Sequence, residues 1–176
     1  MTKYLCFALC LLLCGTVRGA EGEVAAAMHP KLAEMTKSLV DSEGKRVKQE
    51  QLLKHEYVLI YFSAHWCPPC RAFTPDLVKF YNETGGGDKY SLLFVSSDRS
   101  EKDMLGYMKE AKMPWSALNF TSPKVAAMKK TYGGPGIPCL VVLNKDDEVL
   151  YHSYVDKAYV GPRAVMDQFQ ALLKKQ

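Results

Sequence analysis

An apolar, β-prone run, Tyr57-Val58-Leu59-Ile60-Tyr61-Phe62, leads directly into two cysteines spaced two residues apart, Trp66-Cys67-Pro68-Pro69-Cys70. A helical pattern begins at those cysteines and continues from Arg71 to Tyr81. A strand that is apolar at nearly every position must be covered on both faces, so the chain is committed to a sheet with helices packed over it. Pro68 suits the first position of the helix, because it has no N–H to satisfy there. Cys67 then falls at the helix start, where unpaired backbone N–H groups and the helix dipole favour an anion. For a cysteine that anion is the thiolate, the form that attacks disulfides. Cys70 lies one turn further in, placed to close a disulfide and release a bound partner.

The remaining patterns extend this layered architecture. Residues 30–36 read as a short helix, 38–47 as a hairpin turning near Glu43-Gly44, and 49–54 as a brief helix. The apolar strand covers 58–64. The helix over 68–83 shows Phe73, Leu77, Phe80 and Tyr81 at three- and four-residue spacing, is bent at Pro75, and ends at Gly85-Gly86-Gly87. A second buried strand covers 91–96, and Ser100 caps a helix over 101–112. Pro114-Trp115 breaks that helix, and another runs from Ser122-Pro123 to Tyr132. After a glycine-rich loop, residues 139–143 form a strand, 144–148 a turn, 149–154 its antiparallel partner, and 162–175 a closing helix. The expected class is α/β: a central mixed β-sheet flanked by helices, with an N-terminal β-hairpin.

Residues 1–19 read as a secretory signal peptide, with Lys3, an apolar run from Tyr4 to Cys14, and small residues around Val17-Arg18-Gly19. That run is short for a membrane span, which needs ~20 apolar residues. The expected division is therefore a leader over 1–19, a short lead-in over 20–27, and one domain over 28–176. The expected location is secreted, in the secretory pathway or periplasmic. Losing Lys3 and Arg18 takes Lys+Arg from 23 to 21, against 19 Asp+Glu. The resulting +2 is too weak a bias, and the basic residues too scattered, to point to nucleic acid. Three of the six cysteines lie in the leader. The remaining Cys67, Cys70 and Cys139 are too few for a disulfide framework, so one close pair and one remote thiol point to chemistry. Asn82-Glu83-Thr84 and Asn119-Phe120-Thr121 match the glycosylation sequon, which has meaning only on a secretory route.

A bare C-x-x-C is also half of a zinc site. The chain offers no second pair, only Cys139 and scattered histidines, so no metal and no cofactor are expected. The wider block, Tyr61-Phe62-Ser63-Ala64-His65-Trp66-Cys67-Pro68-Pro69-Cys70-Arg71-Ala72-Phe73-Thr74-Pro75, resembles the active-site region of tryparedoxins and nucleoredoxins, a branch of the thioredoxin superfamily. The Pro-Pro dipeptide and the trailing Arg-x-Phe-Thr-Pro fit that branch better than thioredoxin proper, which has Gly-Pro between its cysteines. The similarity continues through Val95-Ser96-Ser97-Asp98, Met113-Pro114-Trp115 and Gly136-Ile137-Pro138, and so covers most of residues 36–145.

The resemblance implies a thioredoxin fold and thiol–disulfide exchange with protein substrates, with Cys67 and Cys70 catalytic. It implies that Pro138 follows a cis bond facing the cysteines, that the backbone of Ile137 pairs with an extended substrate segment, and that Trp66 lies beside the dithiol as an apolar platform. Tyr61 stands six residues before Cys67, where thioredoxins place a buried Asp. Proton handling then falls to water, to Tyr61 or to another residue. His65 reads first as an exposed surface histidine; the alternative is a proton carrier for the thiol, since an unperturbed histidine titrates near ~6.5. Arg71 either favours the Cys67 thiolate or is a solvated charge. Cys139 departs from the family pattern, which usually has Thr after the cis-proline. It reads either as a small buried side chain or as a third redox thiol.

The expected activity is protein-disulfide reduction, with disulfide-containing proteins as substrates and an external electron donor or acceptor. An oxidase or isomerase in an oxidising compartment, and a client-binding adaptor of the same fold, are the alternatives. No membrane span is expected in the mature chain.

Overall fold

The structure is a computed structural model describing residues 28–175. The expected leader over 1–19 and the lead-in over 20–27 lie outside the described residues. The elements in chain order are α1 (Pro30–Met35), β1 (Leu39–Val40), β2 (Arg46–Val47), α2 (Gln49–Leu53), β3 (Val58–Ser63), α3 (Pro68–Glu83), β4 (Ser91–Ser96) and α4 (Glu101–Glu110). They continue with β5 (Ser116–Leu118), α5 (Val125–Tyr132), β6 (Cys139–Leu143), β7 (Val149–His152), β8 (Tyr154–Val155), β9 (Ala158–Tyr159) and α6 (Gly161–Leu173).

Seven strands form one sheet in the order β2-β1-β5-β4-β3-β6-β7. Strand β4 pairs parallel with β3 and β5, while β6 runs antiparallel to β3 and β7 antiparallel to β6. The sheet is mixed and flanked by helices, which is the thioredoxin fold. Strands β3, β4 and β6 are buried at every position. Because strand side chains alternate in direction, each face receives every second residue. Leu59, Tyr61, Leu92, Phe94 and Leu140 pack on one side against Phe73 and Leu77 of α3, Met104 and Tyr107 of α4, and Phe169 of α6. Val58, Ile60, Phe62, Leu93, Val95, Cys139 and Val141 pack on the other against Leu32 of α1, Leu52 of α2 and Met128 of α5.

Three differences from the sequence-based expectation concern weak local signals. Strand β5 is absent from that expectation. Its three residues, Ser-Ala-Leu, lack β-branched side chains and are held by pairing with β4 and β1. Through β5 the N-terminal hairpin joins the main sheet. The strand expected over 149–154 ends at His152, and the chain turns into a separate two-stranded hairpin, β8–β9. That turn places Asp156 and Lys157 at φ 48° and 69°, a left-handed pair without the usual Asn-Gly signature. Helix α5 begins at Val125, three residues beyond the expected start.

Candidate active site

Strand β3 ends at Ser63, and α3 begins at Pro68 with Cys67 as its N-cap. The Cys67 backbone is extended, and its sulfur takes the capping role that an oxygen of Ser or Asp usually fills. The amide N–H of Cys70 points at Cys67 Sγ at 3.3 Å. The two cysteines form a disulfide with Cα atoms 5.2 Å apart. Cys67 is 3% exposed and Cys70 fully buried, so Cys67 is the outer sulfur. The Ile137–Pro138 peptide is cis. It sets the Ile137 carbonyl oxygen 3.8 Å from Cys67 Sγ, and Ala64 and Ile137 pack against the disulfide.

The loop between strand and helix is pinned by its own backbone groups. Asp98, nearly buried, accepts the His65 amide N–H at 2.7 Å on one oxygen and the Ser96 hydroxyl at 2.8 Å on the other. Trp66 donates its indole N–H to the Ser97 carbonyl at 2.9 Å and leaves its ring 51% exposed beside the disulfide. Arg71 donates to the His65 carbonyl at 2.9 Å, so its guanidinium clamps the loop and is not directed at sulfur. His65 Nε2 lies 3.0 Å from a Glu110 carboxylate oxygen, and its ring stands against Tyr107.

Tyr61 occupies a buried cluster made of hydroxyls. Thr74 donates to the Cys70 carbonyl at 2.9 Å, and its oxygen meets the Tyr61 phenol at 2.8 Å and the Tyr107 phenol. Tyr107 in turn lies 3.3 Å from the Ser63 hydroxyl. One hydroxyl proton and two lone pairs account for all three Thr74 contacts. Burial, reinforced by Tyr107, pushes the Tyr61 phenol well above its ordinary range, so it stays neutral and donates a hydrogen bond to Thr74. Thr74 is legible at the sequence level as the residue one turn beyond Cys70 on the same helix face. Ser63, Asp98 and Tyr107 carry no such local signal.

Cys139 begins β6 opposite Phe62, on the sheet face covered by α5, and is fully buried. Burial pushes its thiol up to about 11. His152 Nε2 lies 3.9 Å from its sulfur and 3.0 Å from the Tyr132 carbonyl, while the Tyr154 N–H donates to His152 Nδ1 at 2.9 Å. Nδ1 also lies 3.1 Å from the Tyr154 carbonyl, so both ring nitrogens are engaged by backbone groups, at shorter distances than the thiol.

A groove of about 280 Å³ runs beside the disulfide, between Trp66 and Ser97 on one side and the Gly133–Ile137 loop on the other. Tyr154 packs beneath that loop so closely that a Cβ on Gly134 would run into its ring. Tyr159 of β9 donates to the Pro138 carbonyl at 3.0 Å, which ties the small hairpin to the cis-proline turn. Among the described residues, no group of three or more His, Cys, Asp or Glu side chains is placed to hold a metal ion, and no helix is long and apolar enough to cross a membrane.

Comparison with known proteins gives the same frame. The family described as thioredoxin-like matches residues 55–149. A probable nucleoredoxin 1 of Arabidopsis thaliana is 47% identical over 106 residues, covering 60% of this chain and 18% of the relative. A tryparedoxin of Trypanosoma brucei brucei is 42% identical over 90 residues, covering 51% of this chain and 61% of the relative. The solved structure of tryparedoxin I from Leishmania major superimposes with a TM-score of 0.63 at 31% identity, covering 79% of this chain and 90% of that one. The chain therefore spans about a fifth of the length of the Arabidopsis nucleoredoxin that it matches.

These relatives correct the expected location. Nucleoredoxins and tryparedoxins are cytosolic and nuclear redox proteins, at odds with a secreted, secretory-pathway or periplasmic site. The physical reason is that a close cysteine pair needs no oxidising compartment. In the cytosol such pairs form transiently, as part of catalysis. The match extends over more than half of the chain, on the strand-to-helix junction that carries the cysteine pair, and shows that this chain belongs to the thioredoxin-like family, in its tryparedoxin and nucleoredoxin branch.

Proposed function

We propose that this thioredoxin-like oxidoreductase reduces protein disulfides through its Cys67–Cys70 centre, with residues 28–176 acting as one domain. The observation that carries the reading is the placement of Cys67 Sγ. It caps a helix, receives the Cys70 N–H at 3.3 Å, and lies 3.8 Å from the Ile137 carbonyl ahead of cis-Pro138. A helix N-terminus stabilises the thiolate. In the reduced enzyme the Cys67 thiolate attacks one sulfur of a client disulfide. A Cys67–client bond forms, and the second client sulfur leaves as a thiolate and is protonated. Cys70, deprotonated, then attacks Cys67 Sγ, closes the disulfide seen here, and expels the first client sulfur. Two electrons pass to the client, and an external dithiol donor restores the pair. Trp66 and the backbone of Ile137 would hold the client segment, the latter by strand addition.

Insulin-disulfide reduction tests this directly. Cys67→Ser should abolish turnover, and Cys70→Ser should accumulate a client–Cys67 mixed disulfide. Persistent reduction by Cys67→Ser would sink the mechanism. The reduction potential reads the direction: near ~ −270 mV the centre is a reductant, and near ~ −120 mV an oxidant.

A further inference from the structure

The groove beside the disulfide is lined by apolar side chains and by a glycine-rich loop, and Lys129 of α5 is the one charged residue among those lining it. Its polar neighbours there are already engaged. The Ser97 carbonyl accepts the Trp66 indole N–H. Asp98, the nearby carboxylate, spends its oxygens on the His65 amide and the Ser96 hydroxyl. Among the described residues, no hydrogen bond or ion pair reaches the Lys129 ammonium, although burial already holds its pKa below the ordinary lysine value, with Asp98 pulling the other way.

A client segment lying in this groove removes more water from that ammonium. An unpaired cation losing solvent is costly, and a carboxylate brought by the client removes the cost. We propose that Lys129 is a specificity determinant for client segments carrying an acidic side chain next to the reacting cysteine. This inference rests on the reading of the centre as a protein-disulfide reductase. Clients with basic residues flanking the cysteine meet a like charge in the groove and are disfavoured, because rejection of the wrong partner contributes as much to specificity as attraction of the right one.

The test uses three peptide disulfides that differ only in the residues flanking the reactive cysteine, which are Glu, Gln or Lys. For the full chain, kcat/KM for the Glu peptide should exceed that for the Gln peptide about fivefold, with the Lys peptide lowest. The Glu preference should fall within about twofold in Lys129→Met and reverse in Lys129→Glu. It should persist in Lys130→Met, an exposed neighbour on the same helix. A preference that survives in Lys129→Met, or is absent from the native chain, overturns the inference. Binding of the same peptides with Ser in place of Cys, followed by Trp66 fluorescence, separates the two claims. If no peptide is reduced, yet the Glu peptide binds best and Lys129→Met removes that preference, the reductase reading fails and the groove assignment stands. If neither binding nor turnover shows the preference, the groove assignment fails.

Discussion

The Tyr61 phenol and the Thr74 hydroxyl meet at 2.8 Å, one helical turn past Cys70, where thioredoxins would bring a carboxylate near the inner cysteine. Thr74 is the hub of this cluster, because it also donates to the Cys70 carbonyl and meets Tyr107. Tyr61→Phe removes its contact with Thr74 and a long one with the Cys70 carbonyl at 3.5 Å, and leaves Thr74 its others, at a cost of about 1 kcal/mol. Thr74→Val takes the best partner from both buried phenols, leaving Tyr107 only the Ser63 hydroxyl at 3.3 Å and Tyr61 only the Cys70 carbonyl at 3.5 Å, and costs about 2–3 kcal/mol. Denaturant unfolding of the two variants checks the order. Equal losses would mean that Thr74 is not the hub.

Cys139 should behave as a packed thiol. With its pKa pushed up to about 11 from an ordinary 9.0, the neutral form is favoured in the folded state. The associated stability is present below pH 9.0 and is lost as pH rises through about 11. Unfolding free energy should therefore fall between those limits by an amount on the order of 2 kcal/mol that is missing in Cys139→Ala. The buried tyrosines contribute equally to both proteins and cancel in the comparison. Mass mapping of oxidised protein should also find Cys139 free. A Cys139 disulfide in native, oxidised protein would restore it as a redox thiol.

Trp66 separates function from stability. Its ring is half exposed, so little burial energy is lost when it is removed. Trp66→Ala should lower stability by less than about 1 kcal/mol while reducing kcat/KM on protein disulfides about tenfold. The decisive comparison is with a small-molecule disulfide, whose reduction should change much less. Equal losses on both substrates would argue against a client platform.

The N-terminal helix is held by a residue far away in the chain. Asp147 is buried, accepts the Lys31 N–H at 2.6 Å and the Leu32 N–H at 3.3 Å, and lies 3.3 Å from His29 Nδ1. Asp147→Gly tolerates the left-handed backbone there, φ 62°, and removes the oxygen that accepts both amides. The expected cost is about 2 kcal/mol, with faster amide exchange at Lys31 and Leu32. Unchanged exchange at both amides would show that α1 is held by packing of Leu32 alone.

Much of the fold is legible because its signals are local and repeated. The unbroken apolar run of β3, the three- and four-residue spacing in α3 and the cap at Ser100 each report an element without reference to the rest of the chain. Strand β5 and the β8–β9 hairpin are not legible in that way. The first is three residues long and exists through its pairing with two neighbours, and the second turns on Asp156 and Lys157 without a glycine. At the site, the cysteines, Trp66 and Pro138 stand in contiguous motifs. The surroundings of Tyr61 come from three separate elements and cannot be read from any one of them.

Sequence alone determined the chemistry on offer: two cysteines at a strand-to-helix junction, two prolines between them, and a tyrosine in place of an acid. Tertiary structure decided what each group faces. Arg71 is turned onto the His65 carbonyl, Cys139 is sealed under α5, and the Tyr61 phenol is joined to Thr74 and Tyr107. Residue type sets what a side chain can donate, accept or ionise. Its partners and its solvent are set by elements up to a hundred residues away, and these decide which of those capacities is used.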